Sequence, residues 1–256
     1  MSTIRTDILT RDIMKTAASL QNKKFRSLEN RLLIEGTLPL EEALKSDYRV
    51  TDIFYSPFLL EKPGLRELLA GAQTRWGTRC YEATGSQLKQ LSSEVTPQGL
   101  VAIAEQKTFD IAEMSGNILV LDRLQDPGNV GTLFRIAHWF GLGGILLMKG
   151  TVEAANPKVV RASMGSFFHI PFAYSEDIPP VLLEDRTLLL SKTHGKNSFR
   201  DMGPEKFILV IGNEARGIDP LFDEYPHRDL TLPPLGGAES LNAAVAAAAI
   251  LSKLLY

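Results

Sequence analysis

The sequence predicts an α/β protein in which a doubly wound parallel sheet, residues 118–256, follows a polar linker, residues 106–117, and a small α/β domain, residues 1–105. Three observations predict it. Beyond Asn117, apolar runs at 118–121, 144–148, 187–191 and 207–211 are separated by stretches long enough for helices, the pattern of strands buried on both faces of a parallel sheet. Ahead of the linker, shorter strand and helix signals alternate over a normal domain length. Between them, 105–117 is polar and shows neither period. A composition that is 44% apolar and 23% charged suits packed domains, and 256 residues fit one large or two ordinary ones.

In order, residues 6–20 read as a helix with Ile8, Leu9, Ile13 and Met14 on one side and Thr6 or Asp7 as the cap. Residues 23–31, K-K-F-R-S-L-E-N-R, are the densest basic run. Lys23, Lys24, Arg26 and Arg31 read either as a solvated helix face or as a phosphate-contacting patch that tracks a nucleic-acid backbone. A strand at 32–34, a turn at Glu35-Gly36, a helix at 40–44, a strand at 50–55, helices at 57–69 and 84–91 and a strand at 100–104 complete the front domain. In the back domain, a helix at 131–140 joins the first two strands. Further strands are expected at 168–172 and 229–232, and an alanine-rich helix runs to the end.

Composition excludes several classes. The net charge of −2 gives no global basic excess, so nucleic-acid contact would have to be local. One cysteine, Cys80, rules out an intramolecular disulfide, suits a reducing, cytoplasmic setting and reads as a small buried apolar side chain. His138, His169, His194 and His227 show no metal-ligand spacing, so no metal is expected. No apolar run approaches the ~20 residues of a membrane span, and the N-terminus lacks a signal-peptide core.

Ligands of open parallel sheets bind beyond the carboxyl ends of the strands, which brings three loops together. The first, Q-D-P-G-N-V-G-T-L-F-R, makes Asp126-Pro127-Gly128 a turn and Asn129 a helix N-cap, with Arg135 six residues on. The second, I-G-N-E-A-R-G, places Gly212 where backbone approaches closely, beside Asn213, Glu214 and Arg216. The third, L-P-P-L-G-G-A-E-S-L-N, carries Glu239, Ser240 and Asn242 into the terminal helix. Gly141-Leu142-Gly143-Gly144 hints at a dinucleotide oxidoreductase, but no G-x-G-x-x-G opens a helix after a strand.

This order of motifs resembles the SpoU family of RNA ribose 2′-O-methyltransferases, of the TrmH-like SPOUT type. R-L-L-I-E-G at 31–36, T-P-Q-G at 96–99 and R-A-S-M-G-S at 161–166 extend the likeness over most of the chain. The resemblance implies a deep trefoil knot in the C-terminal sheet, one of the rare exceptions to unknotted topology. It also implies S-adenosylmethionine as methyl donor, a ribosomal or transfer RNA substrate and a homodimer whose site combines two subunits. By motif position, Arg135, Asn129, Glu214, Ser240 and Asn242 would be catalytic. Thr193, Gly195, Ile211, Gly212, Leu232, Leu235 and Leu241 would border the cofactor. A guanidinium is a poor general base, so Arg135 is expected above all to position phosphate and hydroxyl. The alternative is a silent RNA-binding assembly factor, which loss of Arg135, Glu214 or Asn242 would have favoured. All three are present.

Overall fold

Two separate sheets emerge from the alternating runs. The computed structural model describes residues 4–193, 205–233, 235–237 and 240–256. The chain divides into two compact units, one of Met1–Lys107 with Glu153–Phe168 and one of Thr108–Val152 with His169–Tyr256.

The first unit opens with α1 (Arg11–Ser19) and α2 (Lys23–Glu29), followed by β1 (Arg31–Glu35), α3 (Thr37–Lys45) and β2 (Val50–Tyr55). Next come α4 (Leu65–Trp76), β3 (Arg79–Glu82), α5 (Gly85–Leu91) and β4 (Leu100–Glu105). Strand order is β1-β4-β2-β3, with β4 antiparallel to β1 and β2 and β2 parallel to β3.

Two expectations change here, and one strand is added. α1 starts later than expected because Thr10 caps it, accepting from the Ile13 amide at 3.3 Å, while the Asp7 amide donates to the Cys80 carbonyl at 2.8 Å in extended backbone. The helix expected at 57–69 is broken at Pro63-Gly64: Pro57–Glu61 is a 3-10 turn, and Gly64, at φ +82°, starts α4. β3 escapes a sequence reading because it has four residues and only Cys80 and Tyr81 are buried. Burial is also what pushes the Cys80 thiol up to about 12.

The second unit begins with β5 (Ile118–Leu121), α6 (Pro127–Trp139) and β6 (Gly144–Met148). The chain then returns to the first unit, where α7 (Pro157–Ala162) packs on β1, Arg161 pairs with Glu35 at 3.2 Å, and Phe167 and Phe168 lie 5.7 and 5.1 Å from the Tyr48 ring. That aromatic packing makes Ser166–Phe168 a 3-10 turn, so the strand expected at 168–172 forms later, as β7 (Phe172–Ser175). α8 (Pro180–Leu183), β8 (Thr187–Ser191), β9 (Phe207–Ile211), β10 (His227–Leu230) and α9 (Ala243–Leu255) follow.

Here the order is β10-β8-β9-β5-β6-β7, with parallel pairing throughout. The chain moves outward from β5 to β7 and then returns to the opposite side, so strand order reverses between β5 and β9. At such a switch point the loops part and leave a crevice. Every residue of β5, β6 and β9 is buried, as their continuous apolar runs require. Among the described residues, no helix is long and apolar enough to cross a membrane and no group of three acids, histidines or cysteines is arranged to hold a metal ion.

Candidate active site

β5 ends at Leu121, and the next side chain, Asp122, is a carboxylate only 2% exposed. Such a charge needs partners. Arg123 supplies them, with Nε 2.9 Å from Oδ1 and Nη2 3.0 Å from Oδ2, and the Asp219 amide donates to Oδ2 at 2.7 Å. Arg123 also pairs with Asp219 at 2.8 Å through Nη1 and donates to the Gly217 carbonyl at 3.3 Å. These carboxylates, the Asp122 hydrogen bond first, hold its guanidinium above the ordinary arginine range. Asn213 closes the same loop, donating to the Arg123 carbonyl at 2.9 Å and accepting from the Ala215 and Arg216 amides at 3.0 Å each.

Asp126, not Asn129, caps α6. Its side chain accepts from the Asn129 amide at 2.7 Å, with Pro127 in the first turn. Asn129 therefore lies inside the helix with its carboxamide free for other partners. Its Nδ2 donates to Glu214 Oε1 at 2.7 Å, and its Oδ1 accepts from Asn242 Nδ2 at 2.8 Å. Asn242 in turn caps α9, its Oδ1 accepting from the Ala244 and Val245 amides at 3.0 and 3.3 Å. The α9 amides fix which end of Asn242 is oxygen, and that choice propagates through Asn129 to Glu214. A directed chain of hydrogen bonds thus joins the ends of β5, β9 and the terminal segment.

Beside this chain is a cavity of about 900 Å³, lined by Thr193, Ile211, Gly212, Glu214, Leu232, Leu235, Ser240 and Leu241. Its size and mixed apolar and amide lining fit a nucleoside-sized group with an attached amino acid. Gly212 is required by the loop itself: a Cβ there would sit 2.5 Å from the Ile218 amide nitrogen, so the backbone can fold back against the cavity only without a side chain. Gly195 lies outside the described residues. Lys192, Ile218 and Ile250 also line the cavity and were not anticipated; Lys192 is engaged by Asp223 and Asp229 at 2.8 and 3.0 Å. Arg135 is not among the lining residues. It is exposed on α6, and among the described residues no hydrogen bond or ion pair engages it.

In the first unit, Lys23 and Lys24 are exposed and Arg31 is half-buried, but Arg26 is only 3% exposed and cannot reach an RNA. Its guanidinium donates to the Leu20 and Gln21 carbonyls at 2.8 Å each and pairs with Glu153 at 2.6 Å. Inside α2 it is a structural anchor, so it leaves the RNA patch.

Residues 116–252 match the SpoU rRNA Methylase family, and residues 11–102 match an MRM3-like substrate binding domain. The chain is 33% identical over 255 residues to the 23S rRNA (guanosine(2553)-2′-O)-methyltransferase RlmP of Bacillus subtilis (strain 168), covering 94% of this chain and 95% of that one. The solved structure of an AdoMet-bound rRNA methyltransferase from Sinorhizobium meliloti superimposes with a TM-score of 0.84 at 26% identity, over 98% of this chain and 97% of that one. The SpoU methyltransferase AviRb from Streptomyces viridochromogenes, in complex with the cofactor AdoMet, gives 0.84 at 25% identity over 96% and 97%. With its polar loops meeting at the strand-order reversal and more than half its length matched, the chain belongs to the SpoU rRNA Methylase family.

Proposed function

We propose that the protein is an S-adenosylmethionine-dependent methyltransferase acting on a ribose 2′-hydroxyl, with ribosomal RNA the first substrate to test because its relatives carry that substrate in their names. The observation that carries this reading is the Asn129–Glu214–Asn242 chain beside a cavity of cofactor size. When bound, the cofactor supplies an electrophilic sulfonium methyl. Ile211, Leu232 and Leu241 would hold its apolar parts, and the backbone around Gly212 its polar ones. The acceptor oxygen must be placed in line and relieved of its proton, so orientation supplies much of the acceleration. Glu214, bonded through one oxygen to Asn129, presents the other as an acceptor. Arg135 binds the flanking phosphate and aligns the hydroxyl, Ser240 faces the same space, and Lys23, Lys24 and Arg31 anchor the RNA backbone.

Two further features belong to this reading. The terminal segment, whose Leu232, Leu235, Ser240 and Leu241 line the same cavity as Ile211 and Gly212 at the end of β9, supports a trefoil-knotted sheet. A homodimer is supported by the exposed face on which Arg135 stands, where Trp139 is 80% and Tyr256 93% exposed, and a cytoplasmic setting by the single cysteine, Cys80, a buried free thiol. Because Arg135 does not line its own chain's cavity, a second copy is the means of completing the site. Sedimentation should give a dimer at assay concentrations; an active monomer would remove this part of the reading.

The main test is methyl transfer from labelled S-adenosylmethionine to ribosomal and transfer RNA, with the product mapped as an alkali-resistant linkage. One modified nucleotide is expected. Cofactor binding without transfer to either RNA would leave the silent assembly factor in its place.

A further inference from the structure

The loop that carries Glu214 is bracketed by glycines, Gly212 and Gly217, and its middle residues 214–216 are exposed. Apolar packing therefore does little to hold it. Its own closure is a backbone pair, Asn213 and Gly217 exchanging hydrogen bonds at 3.1 and 2.9 Å, and Asn129 holds Glu214. What ties the closed loop to the end of β5 is Arg123, one of three described non-glycine residues with positive φ, at +55°. That conformation is uncommon for a residue with a side chain and would suit glycine. Arginine has a use there that glycine lacks. The left-handed turn presents the Arg123 carbonyl to the Asn213 carboxamide at 2.9 Å, while the side chain returns over Gly150 to Asp122, Asp219 and the Gly217 carbonyl. One residue thus grips both ends of the loop, by its backbone at 213 and by its guanidinium at 217 and 219.

We infer that Arg123 is a positioning residue for methyl transfer, fixing Glu214 and the cavity-lining backbone of residues 212–218 through the buried Asp122 and through Asp219. The inference rests on the proposed activity but concerns a residue outside the motifs that suggested it. Lysine cannot replace it, because only a planar fork engages both oxygens of Asp122 while a third nitrogen reaches Asp219.

The test compares Arg123→Gly, whose backbone suits the left-handed turn, with Arg123→Lys. Asp122→Asn combined with Arg123→Gly serves if the buried carboxylate left alone unfolds the single variant. Cofactor affinity is read by calorimetry, folding by thermal midpoint, and kcat and KM separately on RNA. For the glycine variants kcat should fall about 100-fold, the scale of a slightly misplaced catalytic group, with KM for RNA nearly unchanged and cofactor affinity reduced. Adding guanidinium at non-denaturing concentration should restore much of both losses to Arg123→Gly, where equal sodium should not. A glycine variant with natural kcat and cofactor affinity would overturn the inference, as would losses that follow the thermal midpoint and resist guanidinium. Since cofactor affinity and its rescue are read without turnover, an inactive natural chain would count against the proposed reaction and leave this inference still testable.

Discussion

Arg135→Lys is expected to lower the methylation rate about 100- to 1000-fold, the scale of losing one transition-state hydrogen-bond donor, while cofactor affinity and fold stay unchanged. The second half of the expectation follows from geometry. Arg135 is exposed, engages no described partner and does not line the cavity, so the substitution removes no packing and no cofactor contact. The first half follows from chemistry. Lysine keeps the charge but replaces a planar fork of parallel donors by a single rotating ammonium, and a phosphate beside a hydroxyl is a two-point target. Single-turnover rates with saturating RNA separate chemistry from binding. A lysine variant as fast as the natural chain would end the positioning role.

Arg26→Glu is expected to destabilise the fold by about 3–5 kcal/mol or more, the cost of breaking a buried ion pair and leaving the partner charge alone. The Glu153 carboxylate is itself only 9% exposed, and the Leu20 and Gln21 carbonyls would face a second carboxylate in place of a donor. Reversal of Lys23 and Lys24, exposed on the same helix, should move stability by only about 0.5 kcal/mol. It should weaken RNA binding and lower the salt slope by about one for each phosphate no longer neutralised. Urea titration and binding isotherms at several salt concentrations distinguish the two outcomes. Unchanged RNA affinity in the double lysine variant would take the patch off α2.

Arg26 also shows where sequence reasoning stops. In sequence the basic run reads as one surface, but a helix turns about 100° per residue, which puts Lys24 and Leu28 roughly opposite Arg26. An apolar pattern alone would have buried Phe25 and Leu28; the structure leaves them 38% and 72% exposed and turns the arginine inward. What decides this is Glu153, 127 positions away, which no local pattern reveals.

In the sheet, legibility follows from burial. Strands covered on both faces, such as β5, β6 and β9, read directly as apolar runs, whereas β3, with two buried residues, does not. At the site, Asn129, Glu214 and Asn242 stand out as motif residues, but their joining spans 85 and 113 positions and requires the fold. Two local signals were available and missed. An Asp followed by Pro marks a helix cap and its first residue, which would have placed the cap at Asp126. An acidic residue directly after a fully apolar strand, Asp122, is a buried charge in search of a partner, and Arg123 is adjacent.

The return of Glu153–Phe168 to the first unit bears on how such a protein can be altered by recombination. Val159, Val160, Phe167 and Phe168, encoded in the middle of the catalytic half, are covered by the front unit's own core. A gene cut at the linker would therefore strip cover from these residues, and a foreign front domain joined there would meet an orphaned helix with no groove made for it. Exchange of the front unit between relatives should succeed only when two separate stretches of sequence, the front segment and 153–168, move together as one non-contiguous cassette.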